Sequence, residues 1–257
     1  MSSIHREVER QFSPTAAAYS SSAVHADAAA LAELVALAGP SSADDVIDVA
    51  TGAGHTALAF APHVRRVVAF DLTQSMLDQT LASALGRGLR NVEAQLGTAE
   101  EMPYPDGSFD LYTVRLAPHH FADIRASIRE AYRILRPGGK YLALDTTSPD
   151  DDELDREINE IEVLRDHSHV RNYRASEWSA MLEEAGFEIL SCEVGYMMEL
   201  DLEEWMARMS TPAEKAEEIR RRFRSASAGL REALRIRETE SGFGFTLPRV
   251  TLLARRP

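Results

Sequence analysis

The chain carries one cysteine in 257 residues, Cys192, so it can form neither an intrachain disulfide nor an all-cysteine metal site. That usage fits a reducing compartment, and the cytoplasm is the expected location. No secretory leader is recognisable, and no apolar run approaches the roughly 20 residues that a membrane span requires. Basic residues are outnumbered: 28 Lys and Arg stand against 41 Asp and Glu, giving a formal net charge of -13 and a sequence pI near 5.1. Nucleic acid and anionic membranes both demand a basic face, so neither is an expected partner. The one dense basic run, Arg220-Arg221-Arg222 with Arg224, sits in a charge-rich stretch that reads as a solvated helix face. Internal repeats and low-complexity segments are also missing, which argues against a second independent domain. The 44% hydrophobic and 27% charged residues that remain suit a globular protein with one substantial core.

Within that core, strands and helices alternate. Strands are expected near 45–50, 66–71, 91–96, 109–115 and 139–145, with helices near 55–62, 73–86, 122–135 and 175–185. Such alternation predicts an α/β fold built on a doubly wound, mostly parallel, Rossmann-like sheet. Four segments follow. Residues 1–40 hold a polar arm (1–14) and an alanine-rich helix (16–37) that stops at Gly39-Pro40, together a possible lid. Residues 41–195 form the core, 196–240 a helical insertion able to cap the site, and 241–257 the final strand, with Phe245 to Ala254 extended.

The most specific stretch is Val46-Ile47-Asp48-Val49-Ala50-Thr51-Gly52-Ala53-Gly54-His55-Thr56, the strand–turn–helix unit of a nucleotide-binding sheet. Gly52 to Ala57 also satisfies the dinucleotide pattern G-x-G-x-x-A, so the glycines alone decide nothing. Asp48 does decide. A carboxylate beside a diphosphate gains nothing, whereas a ligand with a cationic amine and a sulfonium gains from it. That chemistry is S-adenosylmethionine. Asp71, 19 residues after Gly52, has the spacing of a ribose-binding acid at the tip of the second strand; helix capping is the competing role.

The ordered blocks Val46–Thr56, Val67–Leu77, Gly97–Asp110, Arg115–Phe121 and Arg133–Asp145 resemble those of class I S-adenosylmethionine-dependent methyltransferases. The resemblance is to the small-molecule type related to the ubiquinone/menaquinone biosynthesis C-methyltransferases, and it covers about residues 15–255. The run Arg165 to Arg171, Glu177-Trp178 and Ala185-Gly186-Phe187 is similar to a subgroup of these enzymes. The resemblance implies a seven-stranded sheet whose last strand is antiparallel, and transfer of a methyl group to O, N or C of a small organic acceptor. The alternative is a protein of the same fold that keeps the cofactor but catalyses a non-methylating reaction such as cyclisation, or only binds ligand. An RNA or protein methyltransferase is disfavoured by the acidic charge and by the lack of an Asn-Pro-Pro-Tyr-type motif after the fourth strand. A homodimer is left open.

On this reading Tyr19, Asp48, Ala50, Gly52, Gly54, Asp71, Leu72, Met76, Thr98, Ala99, Glu100 and Arg115 are the cofactor-binding candidates. The pattern departs from the family at Ala50, where glycine is usual, and at Thr98, where aspartate is common. His119 and His120 follow the fourth strand, where a histidine can act as general base, and His120 is preferred. Asp145, His167, His169, Arg171 and Trp205 are candidates for the acceptor, and Met197, Met198, Met206 and Met209 form either core or an acceptor pocket with Trp205. No metal is expected, because His167-x-His169 lacks a third ligand at convincing spacing.

Overall fold

The computed structural model describes residues 2–13 and 27–257. Apolar runs become strands β1 (Asp45–Val49), β2 (Arg66–Asp71), β3 (Val92–Leu96), β4 (Phe109–Arg115), β5 (Leu135–Thr146) and β6 (Glu188–Tyr196). Three short strands follow, β7 (Leu200–Asp201), β8 (Arg237–Thr239) and β9 (Gly242–Phe245), before β10 (Pro248–Arg255). The main sheet has the order β3-β2-β1-β4-β5-β10-β6. Neighbours pair in parallel except β10, which runs antiparallel between β5 and β6. This is the expected seven-stranded, doubly wound sheet with an antiparallel last strand. β1 lies between β2 and β4 with both faces covered, which is why Val46, Ile47 and Val49 read as a continuous apolar run.

Helices cover both faces. Among the described residues these are α1 (Ser3–Phe12), α2 (Ala28–Ala38), α3 (His55–Phe60), α4 (Gln74–Gly86), α5 (Ile124–Ile134), α6 (Asp152–Arg165), α7 (Ala175–Glu184), α8 (Leu202–Arg208), α9 (Ala213–Arg224) and α10 (Ala228–Ala233). One face packs Ile124, Ile128 and Ile134 of α5 with Trp178 and Leu182 of α7. The other packs Leu34 of α2, Phe60 of α3 and Leu77 of α4. Among the described residues no helix is long and apolar enough to cross a membrane.

Three boundaries differ from the sequence reading. Within the polar arm expected over 1–14, Ser3–Phe12 is helical. Ser2 Oγ accepts from the His5 amide at 3.1 Å and His5 Nδ1 accepts from the Ser2 amide at 3.2 Å, a reciprocal cap that satisfies two orphan donors. The insertion is not purely helical, since β7, β9 and β8 form a second, three-stranded sheet. Gly242–Phe245 belongs to that sheet, and the final core strand starts at Pro248. The insertion has its own core, in which Trp205, Ile219, Phe223 and Phe245 pack on Ile158 and Ile161 of α6. The expected helix over 16–37 is described only from Ala28, where Asp27 caps it and left-handed Gly39 ends it.

Candidate active site

The carboxyl ends of β1, β2 and β4 open into a cleft of about 1000 Å³ including its mouth, the side of such a sheet where ligands sit. The turn after β1 builds one wall. Ala50, Gly52 and Gly54 all have positive φ, at 52°, 55° and 84°. A Cβ added at Gly52 would meet nothing within 4 Å, so its bare backbone leaves ligand space at the cleft wall. At Gly54 the constraint is packing, because a Cβ would stand 2.5 Å from Thr80 Cγ2 on α4. Thr80 Oγ1 also donates to the Gly52 carbonyl at 2.9 Å. Ala50 is a different matter. Its methyl is held in the left-handed region, which for an L-residue costs about 1–2 kcal/mol. The glycine usual in the family relieves backbone strain here rather than crowding. Ala50→Gly is therefore expected to raise unfolding free energy by about 1 kcal/mol in urea denaturation.

Asp48 is 1% exposed on the cleft floor. Its Oδ2 accepts from Thr51 Oγ1 at 2.6 Å and from the Ala57 amide at 3.0 Å, and its Oδ1 from Thr113 Oγ1 at 2.8 Å. Burial nevertheless pushes its pKa up to about 6, against the pull of these bonds and of the Arg115 charge. Arg115 is itself partnered through Nε to Thr56 Oγ1 at 3.1 Å. Asp71 ends β2, and its Oδ2 accepts from the Gly52 amide at 2.9 Å while Oδ1 accepts from the Thr73 amide at 2.8 Å. Burial raises its pKa too. Leu72, Met76, Thr98 and Ala99 line the same end of the cleft. Glu100 lines it as well, but its carboxylate is already bridging: Oε1 accepts from the Ala122 amide at 2.9 Å and Oε2 lies 3.1 Å from His5 Nε2.

That last contact brings in α1, which lies over the cleft through His5, Val8 and Phe12. Glu7 pairs with His167 at 3.2 Å, Gln11 donates to the Met209 carbonyl at 3.3 Å, and Ser75 donates to the Ser13 carbonyl at 3.1 Å. The other wall is the turn after β4, with Leu116, Ala117, His120 and Phe121. The histidines divide the work. His120 lines the cleft, with Phe12 edge-on at 5.1 Å between ring centroids. His119 lies behind it with its Nδ1 2.6 Å from Asp145 Oδ1.

The acceptor candidates are placed apart from the cleft lining. Asp145 is committed to His119. Trp205 is buried in the insertion core, 5.1 Å from Phe245, with the Arg165 guanidinium 4.4 Å over its ring. Arg171 is held by Asp155 and Glu177 at 3.0 Å each. His169 is buried beside His119, ring centroids 5.4 Å apart, and His167 faces Glu7. Met206 and Met209 are buried, whereas Met198 is exposed. Tyr19 lies outside the described residues. His5, Val8 and Thr113 are cleft or support residues that the sequence reading passed over. The apolar spacing Ile4, Val8, Phe12 behind a Ser2 cap is the signal that exposes the helix. Among the described residues no group of three or more His, Cys, Asp or Glu side chains is arranged to hold a metal ion.

A family model described as a methyltransferase domain matches residues 47–143, the span from β1 into β5. The uncharacterized methyltransferase YcgJ of Bacillus subtilis (strain 168) is 36% identical over 234 residues, covering 91% of this chain and 92% of that protein. The chain is a class I S-adenosylmethionine-dependent methyltransferase. A solved structure of a presumed methyltransferase from Bacillus halodurans C-125 matches the present methyltransferase with a TM-score of 0.85 at 37% identity. It covers 89% of this chain and 99% of that one. The ubiquinone/menaquinone biosynthesis C-methyltransferase UbiE of Rickettsia akari is 34% identical over 113 residues, 41% of this chain and 46% of that protein. The cofactor of this methyltransferase is S-adenosylmethionine, and the open face of Gly52 and the acid Asp48 in the cleft suit it.

Proposed function

We propose that this methyltransferase alkylates O, N or C of a small organic acceptor held between α1 and the turn after β4. The cofactor supplies a methyl group already activated on a sulfonium, so the protein's main task is in-line placement. Asp71 would take the ribose hydroxyls. Its oxygens are held by the Gly52 and Thr73 amides, which would aim the carboxylate at the ribose. Leu72, Met76, Thr98 and Ala99 would surround the adenine, Gly52 would give the backbone close approach, and Asp48 with Arg115 would face the methionine end. Residues 2–13 would act as a lid and residues 197–247 as its outer support, reached through Gln11 and Met209.

The observation that carries the acceptor assignment is the exposure of His120, and not His119, to the cleft opposite Phe12. Val8, Phe12, Leu116, Ala117 and Phe121 make this end apolar, which suits a largely apolar acceptor. His120 would receive a proton where the acceptor must lose one. The test combines calorimetry with S-adenosylmethionine, S-adenosylhomocysteine and NAD, followed by a screen of phenols, quinols and heterocycles for S-adenosylhomocysteine release. We expect micromolar binding of the first two, silence with NAD, and methylated product from at least one acceptor class. Cofactor binding with no S-adenosylhomocysteine from any acceptor would favour the non-methylating alternative. For a proton-losing acceptor, His120→Gln is expected to lower kcat about 100-fold or more while leaving S-adenosylhomocysteine affinity within about 3-fold.

A further inference from the structure

We propose that Asp145 and His119 are positioning residues for His120: they hold its Nδ1–H on the Ser168 carbonyl and leave Nε2 as the nitrogen that takes the acceptor's proton. The inference rests on the reading that His120 faces the acceptor, and it concerns what makes His120 fit for that role.

The geometry is a clamp with two carboxylates. Asp145, at the end of β5, accepts from the His119 amide through Oδ2 at 2.9 Å and places Oδ1 2.6 Å from His119 Nδ1. Its own position is fixed by the Thr146 amide, which donates to Oδ1 at 2.9 Å. The turn Pro118–His120 is thereby held at backbone and side chain together. The His119 carbonyl then accepts from the amides of Val170 and Arg171 at 2.8 and 3.2 Å, tying the loop after α6 to the same turn. That loop contributes Ser168, whose carbonyl lies 3.0 Å from His120 Nδ1. The second carboxylate, Asp166, fixes Ser168 by accepting its amide at 2.8 Å and its hydroxyl at 2.7 Å. A carbonyl can only accept, so His120 Nδ1 must carry the hydrogen. Nε2 is then the basic nitrogen. It lies 3.8 Å from Asp166 Oδ2, beyond hydrogen-bond range.

Charge works in the same direction. Around the two rings stand Asp145 from β5, Glu162 and Arg165 from α6, and Asp166 and His169 from the loop that follows. Burial lowers the His119 pKa, but the charge and hydrogen bond of Asp145 outweigh it and the net shift is upward. Burial and the neighbouring His119 charge, ring centroids 4.2 Å apart, push the His120 pKa down. Asp145 thus favours the charged form of His119, while burial and that neighbour favour the neutral form of His120. In turnover the acceptor's X–H proton passes to Nε2 as X bonds the methyl group and the thioether leaves. The imidazolium then returns that proton to solvent, so charge balances over the cycle.

The test is nitrogen-15 histidine NMR on the protein bound to S-adenosylhomocysteine. In the parent, His120 should show the Nδ1–H tautomer when neutral, and His119 should titrate above His120. In Asp145→Asn, the His119 titration should move down and the His120 titration up, with S-adenosylhomocysteine affinity changed less than about 3-fold. His119→Gln removes the same charge by another route. It should move His120 likewise, and it serves where Asp145→Asn folds poorly. With an active acceptor, the acidic limb of kcat should move to higher pH in both variants, at little changed KM. A His120 that keeps the same tautomer and titration in both variants overturns the proposal, as does an Nε2–H tautomer in the parent. If the NMR shifts occur but His120→Gln turns over normally, the clamp stands and the base assignment under the proposed function fails instead.

Discussion

Asp71→Ala is expected to cost about 2 kcal/mol of stability and on the order of 100-fold in S-adenosylhomocysteine affinity. The two losses have separate origins. The carboxylate holds the Gly52 amide from the turn after β1 and the Thr73 amide at the start of α4, so its removal leaves two half-buried or buried donors without acceptors. Each charge-assisted bond contributes roughly 1.5–3 kcal/mol, and part of that sum is offset because a buried carboxylate no longer has to be desolvated. Affinity falls because the ribose hydroxyls lose both acceptors. Urea unfolding and calorimetry read the two effects independently. A variant that is destabilised yet binds with parental affinity would reduce Asp71 to a turn-and-cap residue. Asp71→Asn keeps one acceptor oxygen but sets its NH2 against the other backbone donor, so it should recover only part of the stability and little of the affinity.

The second large effect is a pH dependence at Asp48. Its carboxyl titrates near 6 in the folded protein against an ordinary value of 3.8. Between those two values the folded chain binds the extra proton and the unfolded chain does not, so this group destabilises the fold progressively as pH rises through the window. Above about pH 6 the penalty is complete, at about 3 kcal/mol, and below about pH 4 it is absent. A cationic amine bound beside Asp48 favours the charged form, and binding then expels the proton. S-adenosylhomocysteine affinity should therefore rise by up to about 10-fold per pH unit from pH 5 to 6 and level off above. Asp48→Asn should flatten that profile and weaken binding. It should also stabilise the unliganded protein at pH 7 by about 1–2 kcal/mol, less than the full penalty because Thr51, Thr113 and the Ala57 amide lose a charged partner. An affinity independent of pH in the parent would detach Asp48 from the cofactor's amine.

These two acids were legible in the sequence because a carboxylate at the end of a doubly buried strand has few structural reasons to be there. The central strands were legible for the matching reason: Val46 to Val49 and Val67 to Phe70 are buried on both faces and tolerate no polar alternation beyond Asp48. Distance in sequence hid the rest. The Ser168 carbonyl reaches His120 across 48 residues, and no local pattern announces that pairing. Arg171 looked available for an acceptor until Asp155 and Glu177 closed on it. A tryptophan such as Trp205 reads alike in a pocket wall and in a small core, and here the insertion needed it for its own core. The strands of that insertion span only two to four residues, too short for alternation to register.

The helix over the cleft has no fully buried residue, yet it supplies three side chains to the wall. Changes there draw little on the stability of the sheet, because surface positions outside the core usually shift it by under about 0.5 kcal/mol. Under the proposed function, acceptor choice could be altered through a segment the fold hardly depends on. At the cofactor end Asp48 and Asp71 hold β1, β2 and their turns together, so changes to these acids draw on the fold directly. The cofactor acids and the helix over the cleft thus lie in parts of the chain with very different tolerance for error.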